Sequence, residues 1–157
     1  MAILKASTSV PLFARFILLI FEPISTFYGV YLAFVDPADL ITNHFSRNTL
    51  SYAPETQVLY SQLGGMWVFL ALVEALVLSS FDDLRLWKRI AFCLLVCDVF
   101  YYYAMTGPVG GWVAYWDMRE WTGWEFFTTG YLLMLTSARL SVLFSGGVEE
   151  EVKGKGE

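Results

Sequence analysis

Apolar residues in this chain come in four long blocks, separated by polar or glycine-rich stretches. The first covers about residues 11–34 and contains "FILLIFEPISTFYGVYLAF". The second, "QVLYSQLGGMWVFLALVEALVLSS", covers 57–80, the third, "LWKRIAFCLLVCDVFYYYAM", covers 86–105, and the fourth, "GWEFFTTGYLLMLTSARLSVLF", covers 123–144. A helix needs about 20 mostly apolar residues to cross a bilayer core, and each block supplies them. Strands of a membrane barrel would alternate polar and apolar residues, and these blocks do not. The pattern predicts an all-α fold, an integral membrane four-helix bundle occupying residues 1–145. Arg15 lies inside the start of the first block, and no small-residue cleavage site precedes a soluble domain, so that block reads as a retained span and not as a signal peptide. Residues 146–157, "GGVEEEVKGKGE", read as a disordered cytoplasmic tail.

Composition sharpens this reading. Of 157 residues, 57% are hydrophobic and 18% aromatic, and the mean hydropathy is +0.53; an ordinary soluble domain is less apolar. The net charge is −5, with four of the acids in the tail (Glu149, Glu150, Glu151, Glu157). With no basic stripe along the chain, nucleic acid is not a partner. Lys5, Arg85, Lys88, Arg89, Lys153 and Lys155 fall on one side of a four-span topology and only Arg47 and Arg119 on the other. Both termini are therefore expected in the cytoplasm. Trp112, Tyr115, Trp116, Trp121 and Trp124 would then form an aromatic belt at the far interface.

Every block also carries ionisable groups, which are costly in hydrocarbon and turn inward. Helical spacing tests whether they share a face. In the first span Arg15, Glu22, Ser25, Thr26 and Gly29 form one stripe; in the fourth, Glu125, Thr128, Thr129, Thr136 and Arg139 form another. Glu74 shares a face with Tyr60, Gly64, Trp67 and Ala71, and Asp98 with Leu94, Tyr101 and Tyr102. These faces are expected to meet inside the bundle.

Depth divides the charges into two sets. Arg15, Glu74 and Arg139 lie within about two turns of the terminal side and are expected to form a structural ion network. Glu22 and Asp98 lie about eleven residues into their spans, ~16 Å at helical rise, with no basic residue expected beside them. Two such carboxyls could pass a proton to and from an apolar substrate. The structural alternative is that they hydrogen-bond Ser25, Tyr102 or the backbone carbonyl that Pro23 leaves without a donor. Trp67, Tyr101, Tyr102 and Trp124 could wall the same cavity, with Glu74 and Glu125 as further substrate-binding candidates. Aromatic faces there would suit a developing cation.

Other chemistries find little support. Cys93 and Cys97 lack CxxC spacing and read as buried small hydrophobes, and the single His44 cannot build a histidine metal site. The chain carries no phosphate loop or dinucleotide motif, so no cofactor and no metal is expected. "GGW" at Gly110–Trp112 reads as a turn, and the acidic pair Asp82 and Asp83 as a solvated face or helix cap.

The order of "FEP" in the first span, an acid in the second, "CDVFYYY" in the third, and "YWDMREW" followed by the arginine of the fourth resembles a family of small fungal four-span membrane proteins of unknown function. The resemblance covers about residues 10–145. More distantly, the chain is similar to the EXPERA group of sterol isomerases and lipid-binding proteins, and to membrane-embedded fungal terpene cyclases with their paired carboxylates. These similarities imply the endoplasmic reticulum and a sterol-like or isoprenoid ligand, and carry no catalytic residue across by position. The leading expectation is a cofactor-independent membrane enzyme for cyclisation or isomerisation of a lipophilic small molecule. A non-catalytic lipid-binding or assembly protein is the alternative. A small proton-coupled transporter is a third reading and would need a homo-oligomer. Beyond these, the expected partner is the lipid bilayer itself.

Overall fold

The computed structural model describes residues 4–44 and 51–146. The expected tail beyond Gly146, together with Arg47, lies outside the described residues, and Lys153 and Lys155 with it. Among the described residues there are seven helices and no strand. Four are membrane-length and apolar: α2 (Leu12–Val35), α4 (Pro54–Leu78), α5 (Leu84–Thr106) and α7 (Gly123–Phe144). The other three, α1 (Ala6–Ser9), α3 (Pro37–His44) and α6 (Trp112–Tyr115), sit in the connections. The protein is thus an all-α four-helix bundle built to cross a membrane. The ends of the long helices differ from the sequence reading by up to three residues, because caps and not hydropathy set them.

Those caps are local chemistry. Pro37 and Pro54 open α3 and the first turn of α4, where a missing N–H costs nothing. Asp83 caps α5 by accepting from the Arg85 N–H at 2.8 Å. Thr122 and Glu125 form a reciprocal capping box at the start of α7. After α5 the chain turns sharply at Gly110 and Gly111, with φ of 92° and 101°, a region side chains with a Cβ avoid.

The bundle is dense at the end that carries the N-terminus. There Ala14, Ile17 and Leu18 of α2, Leu78 of α4, Trp87 and Ala91 of α5, and Ala138 and Val142 of α7 form one core. The N-terminal segment straps this end. Leu84 N–H donates to the Leu4 carbonyl at 3.0 Å, and Ser7 donates from N and Oγ to the two Asp82 carboxylate oxygens at 2.6 and 2.7 Å. Toward the far end the long helices separate into two pairs, α2 with α4 and α5 with α7, and α3 reaches across to lie against α7. In the first pair Gly64 lets α4 close on α2, since a Cβ there would lie 2.7 Å from the Phe34 ring. Within lipid, such close packing and hydrogen bonding hold helices together, not exclusion of water.

Two helices depart from regular pitch. Ile17–Phe21 of α2 and Val73–Leu78 of α4 are π-helical, and the two wide turns pack against each other. Pro23 accounts for the first: its ring would collide with the carbonyl four residues back and it offers no N–H. The wide turn moves that carbonyl aside, and Glu22 N–H instead donates to the Ile17 carbonyl five residues back. Such turns concentrate at functional sites.

One expectation is corrected here. Cys93 and Cys97 are both exposed, not buried. The buried face of α5 is taken by Trp87, Ala91, Leu94 and Asp98, which leaves Cys93 outside it and Cys97 on the wall of a cavity between the helices.

Candidate functional site

The two π turns, the second half of α5 and the last third of α7 come together, and four ionisable side chains meet there. Arg139 Nη2 hydrogen-bonds Glu22 Oε1, and Arg139 Nη1 hydrogen-bonds Asp98 Oδ1. Glu74 Oε1 stands 3.6 Å from Arg139 Nη2, close enough for an ion pair and too far for a hydrogen bond. The Glu22 and Glu74 carboxyls are near enough to interact directly. Thr136 donates to Asp98 Oδ2 at 3.3 Å. All four residues are buried, with exposures of 6% for Glu22, 1% for Glu74, 8% for Asp98 and 4% for Arg139. Glu22 Oε2, Glu74 Oε1 and Arg139 Nε have no hydrogen-bond partner among the described residues.

This meeting overturns the division by depth. Arg139 is not held at the terminal side with Arg15: it is the basic partner that Glu22 and Asp98 were expected to lack. The reason is the lean of helical side chains toward the N-terminus of their own helix. The helices α2 and α5 run away from the terminal side, so Glu22 and Asp98 lean back toward it. The helices α4 and α7 run the other way, so Glu74 and Arg139 lean inward. Counting residues from a helix end ignores this lean. Arg15 stays out of the network and donates to the Ser7 carbonyl at 3.0 Å.

Above the cluster the diverging helix pairs enclose a cavity of about 380 Å³. This lies within the roughly 300–1,000 Å³ usual for small-molecule sites. Glu22, Asp98 and Arg139 line its closed end, and its wall is mostly apolar and aromatic. Of the aromatic candidates, Trp67, Tyr101 and Trp124 line it. Tyr28 and Phe127 add rings at its rim, and both are exposed. The Ser25 and Tyr131 hydroxyls hydrogen-bond across the wall at 2.8 Å. The polar stripe read along the first span, Glu22, Ser25, Thr26 and Gly29, lies along this cavity.

Three candidates stand elsewhere. Tyr102 is not in the lining, and its ring packs beside Trp116 at a centroid distance of 6.4 Å. Glu125 caps α7, accepting from Thr122 N–H at 2.8 Å. Glu74 stands behind Glu22, beneath the cavity and not on its surface. Of the expected aromatic belt, Tyr115 is buried, its hydroxyl bonding Thr129 at 3.0 Å and its backbone carbonyl accepting from Trp121 Nε1 at 2.6 Å; Trp112, Trp116 and Trp124 are exposed. Tyr131, Thr128 and Tyr28 were not singled out as pocket residues from sequence. Their signal was the inward face they share with Arg139 or Ser25.

Among the described residues no group of three or more His, Cys, Asp and Glu side chains has the arrangement of a metal site. The family model described as "Domain of unknown function (DUF7704)" matches residues 7–148. No curated protein and no solved structure matches the chain. Since that match takes in all four long helices and the cluster between them, the chain belongs to the DUF7704 family.

Proposed function

We propose that this protein is a membrane enzyme that takes a lipophilic isoprenoid or sterol-like molecule into its intramembrane cavity and isomerises or cyclises it by proton transfer. One observation carries the reading: carboxyls of three different helices gather around one guanidinium at the closed end of an aromatic-walled cavity. One guanidinium balances one carboxylate, so the cluster holds dissociable protons whenever it is electrically balanced. In an isomerisation, a carboxyl of the cluster adds its proton to one carbon of a double bond, and positive charge develops on the neighbouring carbon. A carboxylate then removes a proton from the next carbon, whose C–H electron pair becomes the new double bond. The cluster ends with the protons it began with, and no cofactor enters the balance. Glu22 and Asp98 are the acid and base, while Trp67, Tyr101 and Trp124 shape the pocket. The lysine and arginine distribution favours both termini in the cytoplasm, and the endoplasmic reticulum follows from the family resemblances alone.

A second reading is binding without turnover. It is favoured by Arg139, which holds Glu22 and Asp98 as fixed ion pairs. The two readings separate in deuterated water. Purified protein is analysed by mass spectrometry for co-purified lipid and then incubated with sterol and isoprenoid alkenes. Deuterium entering a rearranged product, and ceasing to enter it in Glu22→Gln or Asp98→Asn protein that still folds, supports catalysis. Retained lipid with no label supports binding. Neither lipid nor product defeats both.

A further inference from the structure

The charge inventory of the cluster says which polar group a ligand could bring. Three carboxyls face a single guanidinium, and the next arginine along α2, Arg15, is engaged at Ser7. Both Arg139 Nη groups are taken by Glu22 and Asp98. Glu22 lines the cavity, is 6% exposed, and keeps Oε2 without a hydrogen-bond partner. Arg139 Nε keeps a free N–H, but an anionic head group would still add negative charge to a cluster in which three carboxyls already face one cation. A cation meets the reverse: it replaces a proton on the cluster and gains an ion pair in a medium of low dielectric constant. Ring faces point the same way. Trp67, Trp124, Tyr101 and Tyr131 stand around the cavity, and the negative face of an aromatic ring attracts a cation.

We propose that this cavity selects lipophilic molecules that carry positive charge, over neutral and anionic molecules of the same length. In the native protein the charge is that of a lipophilic ammonium or of an electron-deficient carbon formed on the substrate. The proposal rests on the cavity being a ligand site, as above, and adds the sign of charge it accepts.

Three probes of one chain length test it: dodecyltrimethylammonium, dodecanol and dodecanoate. Each is titrated below its micellar concentration into the full-length protein in neutral maltoside detergent, and binding is read by quenching of tryptophan fluorescence. Thr128→Trp, which fills the cavity from its wall, measures uptake by the micelle, and that signal is subtracted. The quaternary ammonium has no N–H, so charge and ring faces alone distinguish it from the alcohol. The expected result is that the ammonium binds about tenfold tighter than dodecanol, with dodecanoate weakest. Glu22→Gln should narrow that preference; the wild-type series decides the matter even if this variant does not fold. Dodecanol binding as tightly as the ammonium, or dodecanoate binding tightest, overturns the charge preference and leaves the ligand site standing. Failure of all three probes to bind overturns both.

Discussion

Arg139 is the residue on which the interior depends. Its two Nη groups hold carboxylates from two other helices, and a third carboxyl lies 3.6 Å away. Removing it leaves buried acids without a counter-charge, which costs about 3–5 kcal/mol in comparable buried pairs. Arg139→Leu should therefore lower the midpoint of detergent-based thermal unfolding far more than Asp98→Asn does. Arg139→Lys should restore little, because one ammonium cannot reproduce the forked contact to Glu22 and Asp98. At this scale the sequence was informative about which residues face inward and misleading about which of them touch. Periodicity put Glu22, Glu74, Asp98 and Arg139 each on an inner face. Depth counted along the axis then separated Arg139 from Glu22, because side-chain lean and the reach of a long guanidinium do not enter a residue count.

Among elements, the π turns and the N-terminal strap are the features least legible from sequence. Pro23 announced a disturbed backbone, but whether the helix would kink, break or widen depends on what packs against it. The Val73–Leu78 turn contains no proline or glycine that would flag it. Pro23→Ala should let α2 return to regular pitch, turning residues before the site by about 100° relative to those after it. Helix content by circular dichroism should hold while probe binding falls; unchanged binding would mean that the wide turn does not position Glu22. The strap has a pH signature. The Ser7 side-chain and backbone hydrogen bonds keep the Asp82 carboxyl below the usual carboxylate range. A lowered folded-state value means that this contribution is complete above the ordinary value of about 3.9 and is lost as pH falls through the lowered one. The protection factor of the Ser7 amide, its slowing relative to a free peptide at the same pH, should therefore be high at neutral pH and fall under strong acid. Asp82→Ala should show that loss of protection at pH 7, with the four long helices intact.

For the whole molecule, hydropathy alone exposed four spans and their order, since length and apolar content suffice to define them. The cavity was not legible, because it arises from helix pairs that part company beyond the cluster, a property of relative tilt that no single segment encodes. If a molecule occupies that space in the folded state only, it stabilises the fold by mass action, by about 2.7 kcal/mol at a hundred times its dissociation constant. A dodecyl ammonium probe should accordingly raise the unfolding temperature in a concentration-dependent way, and Thr128→Trp should abolish the rise. Dense packing and a strap close one end, the wide turns adjoin that packed core, and beyond them the long helices run in two pairs, with α3 lying against α7 at the far end. Mechanically this is a clasp whose hinge is the charged cluster and whose catch is the contact of α3 with α7. The speed with which cargo enters and leaves would then be governed by how firmly that catch is held, and the rings along the cavity would set only how tightly the cargo is gripped.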